Sequence, residues 1–453
     1  MRGIFAALLL LALSVSAFGQ TDEILNKALK NTGIKRKNVA IAIYDNNLGK
    51  VVYSVNGDKF FSIASVNKLL ITAVSLKYLG QDFRFKTTVS GAYPNAEGET
   101  KGKIYIHGTG DPLFVSENMW YLVNMLYNSG VRTISGDIIL DESLFPAKNV
   151  YDEDGDRAYN SKVSSLSVNF NSVAINVVSG ENQYISVDPP VPSIKVVDKT
   201  KRSKAKTNIE IRRVGDSIVV SGNVNNKDYG MKTTYRNIDD PTLYFEEVLR
   251  LHLAWRGITF NGKVKSGKAP SSSDLIFEIS SRRLNDILVE MNKFSNNFIA
   301  EQVLRALLYK MTGSADNDDE LQEILSDYLK DLGVEPKSFE VVNASGFSKR
   351  NKTKPEDFVK FLSKVYGDFQ IAPEFINSLP IAGVDGTIRK SLGDKDIKGK
   401  IRAKTGTLSG IRSLAGYMDG KDALYSFIIV VNDPNAYRMM DWEGKILNTF
   451  IRR

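Results

Sequence analysis

The sequence predicts an α+β protein whose body is split by a large β-rich insertion, itself carrying a smaller inserted unit. Three observations predict this. At 453 residues the chain is too long for one simple domain. Helical periodicity and strong hairpin patterns stand near both ends, while short strand-like runs broken by turns fill the stretch between. A polar, basic tract then interrupts that β-rich stretch.

Residues 1–19, MRGIFAALLLLALSVSAFG, read as an export signal: Arg2, an apolar run from Ile4 to Leu13, then small residues. Ala17 and Gly19 suit the positions before a cleavage at Gln20. The run is short for a membrane span, and an uncleaved anchor stays open. A short helix (Glu23 to Lys30) and a hairpin around Asn46-Asn47-Leu48-Gly49 follow. Val66, Leu69, Leu70, Ala73, Leu76 and Leu79 then fall at helical spacing, with Gly80 as the stop.

From Phe83 to Ser273 the runs KIYIHG, GDIILDES, SLSVNF, VAINVV and SIVVSG read as strands. Near the end of this region TLYFEEVLRLHLAWRG is a helix closed by Gly257. LNDILVEMNK, NNFIAEQVLRALLYKM and DELQEILSDYLKDLG are helical, and SLAGYMDGKDALYSFIIVVND is a hairpin turning near Gly420. DWEGKILNTFI ends the chain as a helix. The expected division is a body of 20–82 and 276–453, an inserted domain of 83–180 and 235–275, and a further one of 181–234.

Composition excludes several chemistries. The chain has no cysteine, so it forms no disulfide and uses no thiolate nucleophile. His107 and His252 are the only histidines, and His252 sits in an apolar helical pattern that suits a packed role. A zinc site would need mostly carboxylates, so neither metal nor cofactor is expected. A hydrolase built from this chain works without histidine unless His107 is its base. Much of the +8 formal charge gathers between Lys195 and Arg213. Export and the lack of a recognition motif argue against nucleic acid. A solvated basic face and attraction to an anionic envelope polymer both remain open.

Three short motifs carry chemistry. Ser65 and Lys68, at i and i+3, share one helix face, so hydroxyl and amine can meet. Near a helix start the Ser65 N–H lacks a helical partner and can serve as an oxyanion donor. Desolvation and a nearby cation can bring a lysine down from its usual pKa of about 10.4 to act as a base. The alternative, Lys68 on a solvated helix face, is not removed by spacing, since Ser203 and Lys206 share it. Ser295, Asn296 and Asn297 fall between two helices, where they suit proton transfer and amide recognition, or simply capping. Lys404-Thr405-Gly406 precedes the last hairpin, on or beside an edge strand. Lysine and threonine there suit a carboxylate, and Gly406 admits a close backbone; a polar strand edge with a turn glycine is the other reading. Lys404 would also be the second cation beside Lys68.

Ser-x-x-Lys, Ser-x-Asn and Lys-Thr-Gly in this order form the set used by penicillin-binding proteins and serine β-lactamases. The chain resembles, over essentially its whole mature length, the D-alanyl-D-alanine carboxypeptidases of the DacB type, class C low-molecular-mass penicillin-binding proteins of peptidase family S13. The long insertion between Lys68 and Ser295 carries that likeness, with HGTGDPLF, GDIILDESLF, MNKFSNNFIAE, LPIAGVDGTIR and AKTGTLSGIRSLAGY. The resemblance implies the serine β-lactamase/DD-peptidase fold, an antiparallel sheet flanked by helices. It implies hydrolysis of D-Ala-D-Ala on peptidoglycan stem peptides, with DD-endopeptidase activity, and inhibition by β-lactams. It implies Ser65 as nucleophile, Lys68 as base, and Ser295 with Lys404 as the relay to the leaving D-alanine. Asn297 would hold the substrate amide and Thr405 its carboxylate, with the Ser65 and Thr407 N–H groups as the oxyanion hole. Membrane association would be at most peripheral, and a homodimer is left open.

The family also reads the third residue of the stem peptide through an acidic residue and an aromatic five positions on. This falls on Asp154 and Tyr159, with Asp152 and Asp156 as alternative registers and an acidic surface loop as the other reading. Asn343-Ala344-Ser345-Gly346 departs from the family's usual Asp-Gly-Ser-Gly, which puts the geometry of that turn in question. A serine β-lactamase and a non-catalytic penicillin- or wall-binding receptor are the rivals. No deacylating glutamate can be assigned from sequence, although Glu290 and Glu301 flank the Ser295 motif.

Overall fold

A computed structural model describes residues 19–151 and 155–452. Nearly all of the expected leader, residues 1–19, lies outside the described residues, as do Asp152 and Asp154.

Both ends of the chain meet in one five-stranded antiparallel sheet. Its order is Lys50–Val55, Val39–Asp45, Leu424–Asn432, Ile411–Asp419, Ile401–Leu408. The three inner strands Val39–Asp45, Ile411–Asp419 and Leu424–Asn432 are buried almost throughout because helices cover both faces. Alternation sorts their side chains between two cores. Ala40, Ala42, Ala415, Tyr417, Ile428 and Val430 join a cluster with the helices Lys68–Tyr78, Leu284–Lys293, Asn297–Thr312 and Pro355–Gly367. Val39, Ile41, Ile43, Leu414, Phe427 and Ile429 join the helices 19–32 and Met440–Ile451 on the other face. The first helix is thus longer than its apolar pattern predicted, because packing against the last helix sustains the extra turns.

Residues 86–280 supply a second five-stranded sheet, of mixed direction. Its order is Val264–Ser266, Ile138–Asp141, Ile104–Gly108, Lys86–Gly91, Leu275–Ser280. The helices Ser116–Asn128 and Pro241–Arg256 pack with it in a separate apolar cluster. The second helix ends as its sequence predicts, on a left-handed Gly257. The first was not singled out from sequence, since aromatic and polar residues blur its apolar stripe. SLSVNF is no strand: Asn169, Phe170 and Asn171 all take positive φ and form a tight turn. Asn171 Oδ1 accepts from the Val168 N–H at 3.4 Å, a local side-chain bond that competes with the strand.

The basic tract forms an edge strand, Lys195–Arg202, parallel to Ser217–Val224, whose other neighbour is Asn208–Val214. Lysines along such an edge oppose pairing with another chain.

Candidate active site

Ser65 lies in a 3-10 turn, Ala64–Asn67, and the α-helix proper begins at Lys68. Ala64 just before it has φ of 46°, an uncommon value for a residue with a Cβ. Ser413 on the central sheet donates to the Ile63 carbonyl at 2.6 Å, tying this turn to the sheet. Gly406 explains the close approach of the edge strand. A Cβ there would sit 2.6 Å from the Ile63 oxygen and 3.0 Å from the Ser65 nitrogen.

Lys68 is wholly buried, not solvated, which removes the bland reading of its position. Its Nζ lies 3.0 Å from Ser65 Oγ, 2.8 Å from Asn297 Oδ1 and 2.5 Å from the Ser345 carbonyl oxygen. Burial lowers its pKa to about 7, and the carboxylate of Glu301 pulls the other way. The orientation of the Asn297 amide is fixed from its far side, where Nδ2 donates to the Tyr159 carbonyl at 3.3 Å.

Ser295 has φ of 56° and sits between the helices that end at Lys293 and begin at Asn297, as its sequence predicts. Asn296 caps the second of these, its Oδ1 accepting from Ile299 N at 3.1 Å. The capping role belongs to Asn296, which leaves Ser295 and Asn297 to face the site. Lys404, on the edge strand, is wholly buried and donates to Ser295 Oγ at 2.7 Å and to the Thr405 carbonyl at 2.6 Å. Burial, then repulsion from Lys68, drives its pKa well below the ordinary lysine value. Burial is the dominant cause at both lysines.

These groups open on a cleft of about 800 Å³, lined among the described residues by Ser65, Tyr159, Phe294, Ser295, Asn297 and Phe347. Ser348, Lys349, Arg350, Thr407, Leu408 and Ser409 complete the described wall, which carries two cations and no carboxylate. Thr405 Oγ1 bonds Thr387 Oγ1 at 2.8 Å on the exposed edge of the strand. Tyr159 is 51% exposed at the cleft, its ring 5.3 Å from that of Phe347. Its expected partner Asp154 lies outside the described residues. Asp156, one alternative register, instead meets Arg236 at 3.1 Å.

Sequence reasoning marked the turn Asn343–Gly346 but did not place it over Ser65 and Lys68, where it packs. Asn343 Oδ1 accepts from Gly346 N at 3.1 Å, so asparagine closes the turn as an aspartate would. Gly346, at φ of 74°, packs its backbone on Ala64, where a Cβ would meet the Ala64 oxygen at 2.1 Å. Asn67 Nδ2 donates to the Asn343 carbonyl. A positive-φ glycine at the end of an Asn-x-Ser-Gly run was the available signal. Neither Glu290 nor Glu301 faces the cleft: Glu290 pairs loosely with Arg282, and Glu301 is wholly buried. His252 is structural, its ring bonded to the Val248 carbonyl and packed on Trp255. His107 meets Asp141 at 3.4 Å and does not line the cleft.

A helix-flanked antiparallel sheet with Ser65 against the wholly buried Lys68 beside its edge strand defines the class: the serine β-lactamase/DD-peptidase fold. The chain belongs to the D-Ala-D-Ala carboxypeptidase 3 (S13) family, whose model matches residues 21–444. It is therefore a serine-type peptidase of D-Ala-D-Ala carboxypeptidase class. It is 28% identical to a D-alanyl-D-alanine carboxypeptidase of Actinomadura sp. strain R39, over 93% of this chain and 85% of that one. It is 25% identical to the D-alanyl-D-alanine carboxypeptidase DacB of Haemophilus influenzae, over 92% of this chain and 87% of that protein. The crystal structure of penicillin binding protein 4 from Haemophilus influenzae superposes with a TM-score of 0.80 at 22% identity, covering 92% of this chain and 97% of that one. That likeness shows the shared fold.

Proposed function

We propose that this chain is an exported serine D-Ala-D-Ala carboxypeptidase with DD-endopeptidase activity on peptidoglycan stem peptides, working through a Ser65 acyl-enzyme. One observation carries the reading, the set of three partners around Lys68 Nζ. The Asn297 amide oxygen and the Ser345 carbonyl can only accept, so they take the two N–H bonds of a neutral amine. The remaining direction, toward Ser65 Oγ, receives the lone pair. Lys68 is thus held as a base aimed at a hydroxyl, and burial leaves it neutral in an appreciable fraction at neutral pH.

Ser65 Oγ attacks the carbonyl of the penultimate D-alanine as its proton passes to Lys68. The N–H groups of Ser65 and Thr407 stabilise the oxyanion, an effect of about 10²–10³ in rate per donor. The amide C–N bond then breaks as the proton taken up by Lys68 is relayed by Ser295 and Lys404 to the departing amine, which returns Lys68 to its neutral form. Thr405 holds the terminal carboxylate from the strand beside Thr407, and Lys349 and Arg350 add positive charge to the cleft wall. Asn297 turns its amide to the substrate backbone, and Asp154 with Tyr159 reads the third residue. Water then hydrolyses the ester and frees Ser65. The body of 20–82 and 276–453 carries this chemistry, and the insertions of 83–180 with 235–275 and of 181–234 stand beside it.

β-Lactams resemble the D-Ala-D-Ala end and acylate the same serine. The cleft wall, among the described residues, offers no carboxylate to activate water, which favours a slow acyl-enzyme over β-lactamase turnover. Labelled penicillin followed by mass spectrometry tests the reading. One adduct is expected on the peptide holding Ser65, and none in Ser65→Ala. Labelling elsewhere, or none in the unaltered protein, would sink it. Free D-alanine and cleaved dimers from a cross-linked muropeptide then report the two activities separately.

A further inference from the structure

Among the described residues Glu301 is the one fully buried carboxylate behind the catalytic lysine, and the steps above do not use it. It lies on the Asn297–Thr312 helix, one turn after Asn297, so both side chains leave the same helix face. Its Oε1 accepts from Ser345 N at 2.8 Å and its Oε2 from Ala344 N at 3.4 Å. The carbonyl oxygen of that same Ser345 accepts from Lys68 Nζ at 2.5 Å and stands 3.2 Å from Ser65 Oγ. One carboxylate therefore grips the backbone on one side of the turn while the lysine and serine use its other side. The turn has a second anchor in Asn67, but its bond reaches Asn343 rather than Ser345.

We propose that Glu301 is a positioning residue for the acylation step: it clamps the Ala344–Ser345 backbone so that the Ser345 carbonyl orients the Lys68 amine toward Ser65. The clamp also bears a charge. Lys68 and Arg305 face it as cations, Arg305 being shared with Asp316 and Asp318, and the buried Tyr151 hydroxyl lies in the same electrostatic neighbourhood. Lys404 lies beyond Lys68 as a like charge that opposes it. Burial raises the Glu301 pKa, and the Ser345 hydrogen bonds, Arg305 and Lys68 oppose that rise. As a carboxylate it favours the protonated lysine, so its charge sets the acid side of the activity while its two oxygens set the geometry.

The inference rests on Lys68 acting as the base for Ser65, and two substitutions separate charge from reach. Glu301→Gln keeps the length and removes the charge. Its acid limb for penicillin acylation of Ser65 is expected to move about one pH unit lower, because the lysine loses the anion that favoured its protonated form. Glu301→Asp keeps the charge and shortens the reach by one methylene. Its limb is expected to stay, while its plateau rate falls about 10²-fold as the carbonyl loses register. Thermal melts confirm which variants are folded, and either folded variant suffices. A Glu301→Gln profile that superimposes on that of the unaltered protein, or a Glu301→Asp plateau equal to it, overturns the proposal. Failure of the unaltered protein to label at Ser65 would instead overturn the base assignment beneath it.

Discussion

Asn67 Nδ2 donates to the Asn343 carbonyl at 2.8 Å, joining residues 276 positions apart in the chain. The sequence left Asn67 unassigned between two catalytic positions. The fold makes it the strut between the Ser65 turn and the turn that covers it. Both partners are buried, so removing the donor leaves an orphaned carbonyl. Asn67→Ala is expected to lower stability by about 1–3 kcal/mol and to slow acylation of Ser65. Chemical denaturation and a labelled-penicillin time course read the two effects; a loss of stability with unchanged acylation would show that the strut does not reach the chemistry.

Lys68→Met should abolish the base while filling the same buried space. Acylation by penicillin is expected to fall about 10²–10⁴-fold, the usual range for loss of a positioned proton acceptor. Rate constants from stopped-flow labelling measure it.

The pH dependence follows from the same lysine. Acylation needs neutral Lys68, so the rate of the unaltered protein should rise with pH through about 7. Stability shares that sign. Between about 7 and the ordinary 10.5 the unfolded lysine holds a proton that the folded one lacks. The unfolded state binds more protons there, so the Lys68 contribution to stability rises with pH across that window. Lys404, displaced in the same direction, adds to it. Melting curves in a pH series should be flatter for Lys68→Met than for the unaltered protein.

Gly406→Ala tests the contact between the edge strand and the Ser65 turn. The new Cβ would lie 2.6 Å from the Ile63 oxygen and 3.0 Å from the Ser65 nitrogen, so backbone must move. We expect acylation to drop about 10²-fold, since a shift of this kind displaces the reacting hydroxyl. Comparison with the melting temperature separates a displaced site from a failed fold.

Across the edge strand from Thr407, Arg412 on the sheet and Glu443 on the last helix form a buried two-pronged pair, each bond 2.6 Å. Arg412→Ala strands a buried carboxylate and should cost about 3–5 kcal/mol. Equilibrium unfolding measures this, and the folded fraction should still label at Ser65.

Elements with a clean repeat were legible in the sequence. The two hairpins, the Leu284–Lys293 and Asn297–Thr312 helices and the Pro241–Arg256 helix follow directly from period and caps. Runs such as SLSVNF misled, because the Asn171 side chain offers the Val168 N–H a local alternative to the strand that composition does not reveal. In the site, Ser65, Lys68, Ser295 and Lys404 were visible as motifs because short spacings on helix and strand fix which side chains share a face. Glu301 carried only a faint signal, its i+4 offset from Asn297.

The sequence by itself determined the motif order, the break that frees Ser295, the edge strand bearing Lys404 and the family to which they belong. Tertiary structure alone decided that Lys68 is dry, that its lone pair has one open direction, and that Asn67 and Glu301 hold the turn over it. The reason is physical. A repeat records which face of an element an amino acid occupies, whereas desolvation and hydrogen-bond direction depend on segments hundreds of residues away meeting within a few ångströms.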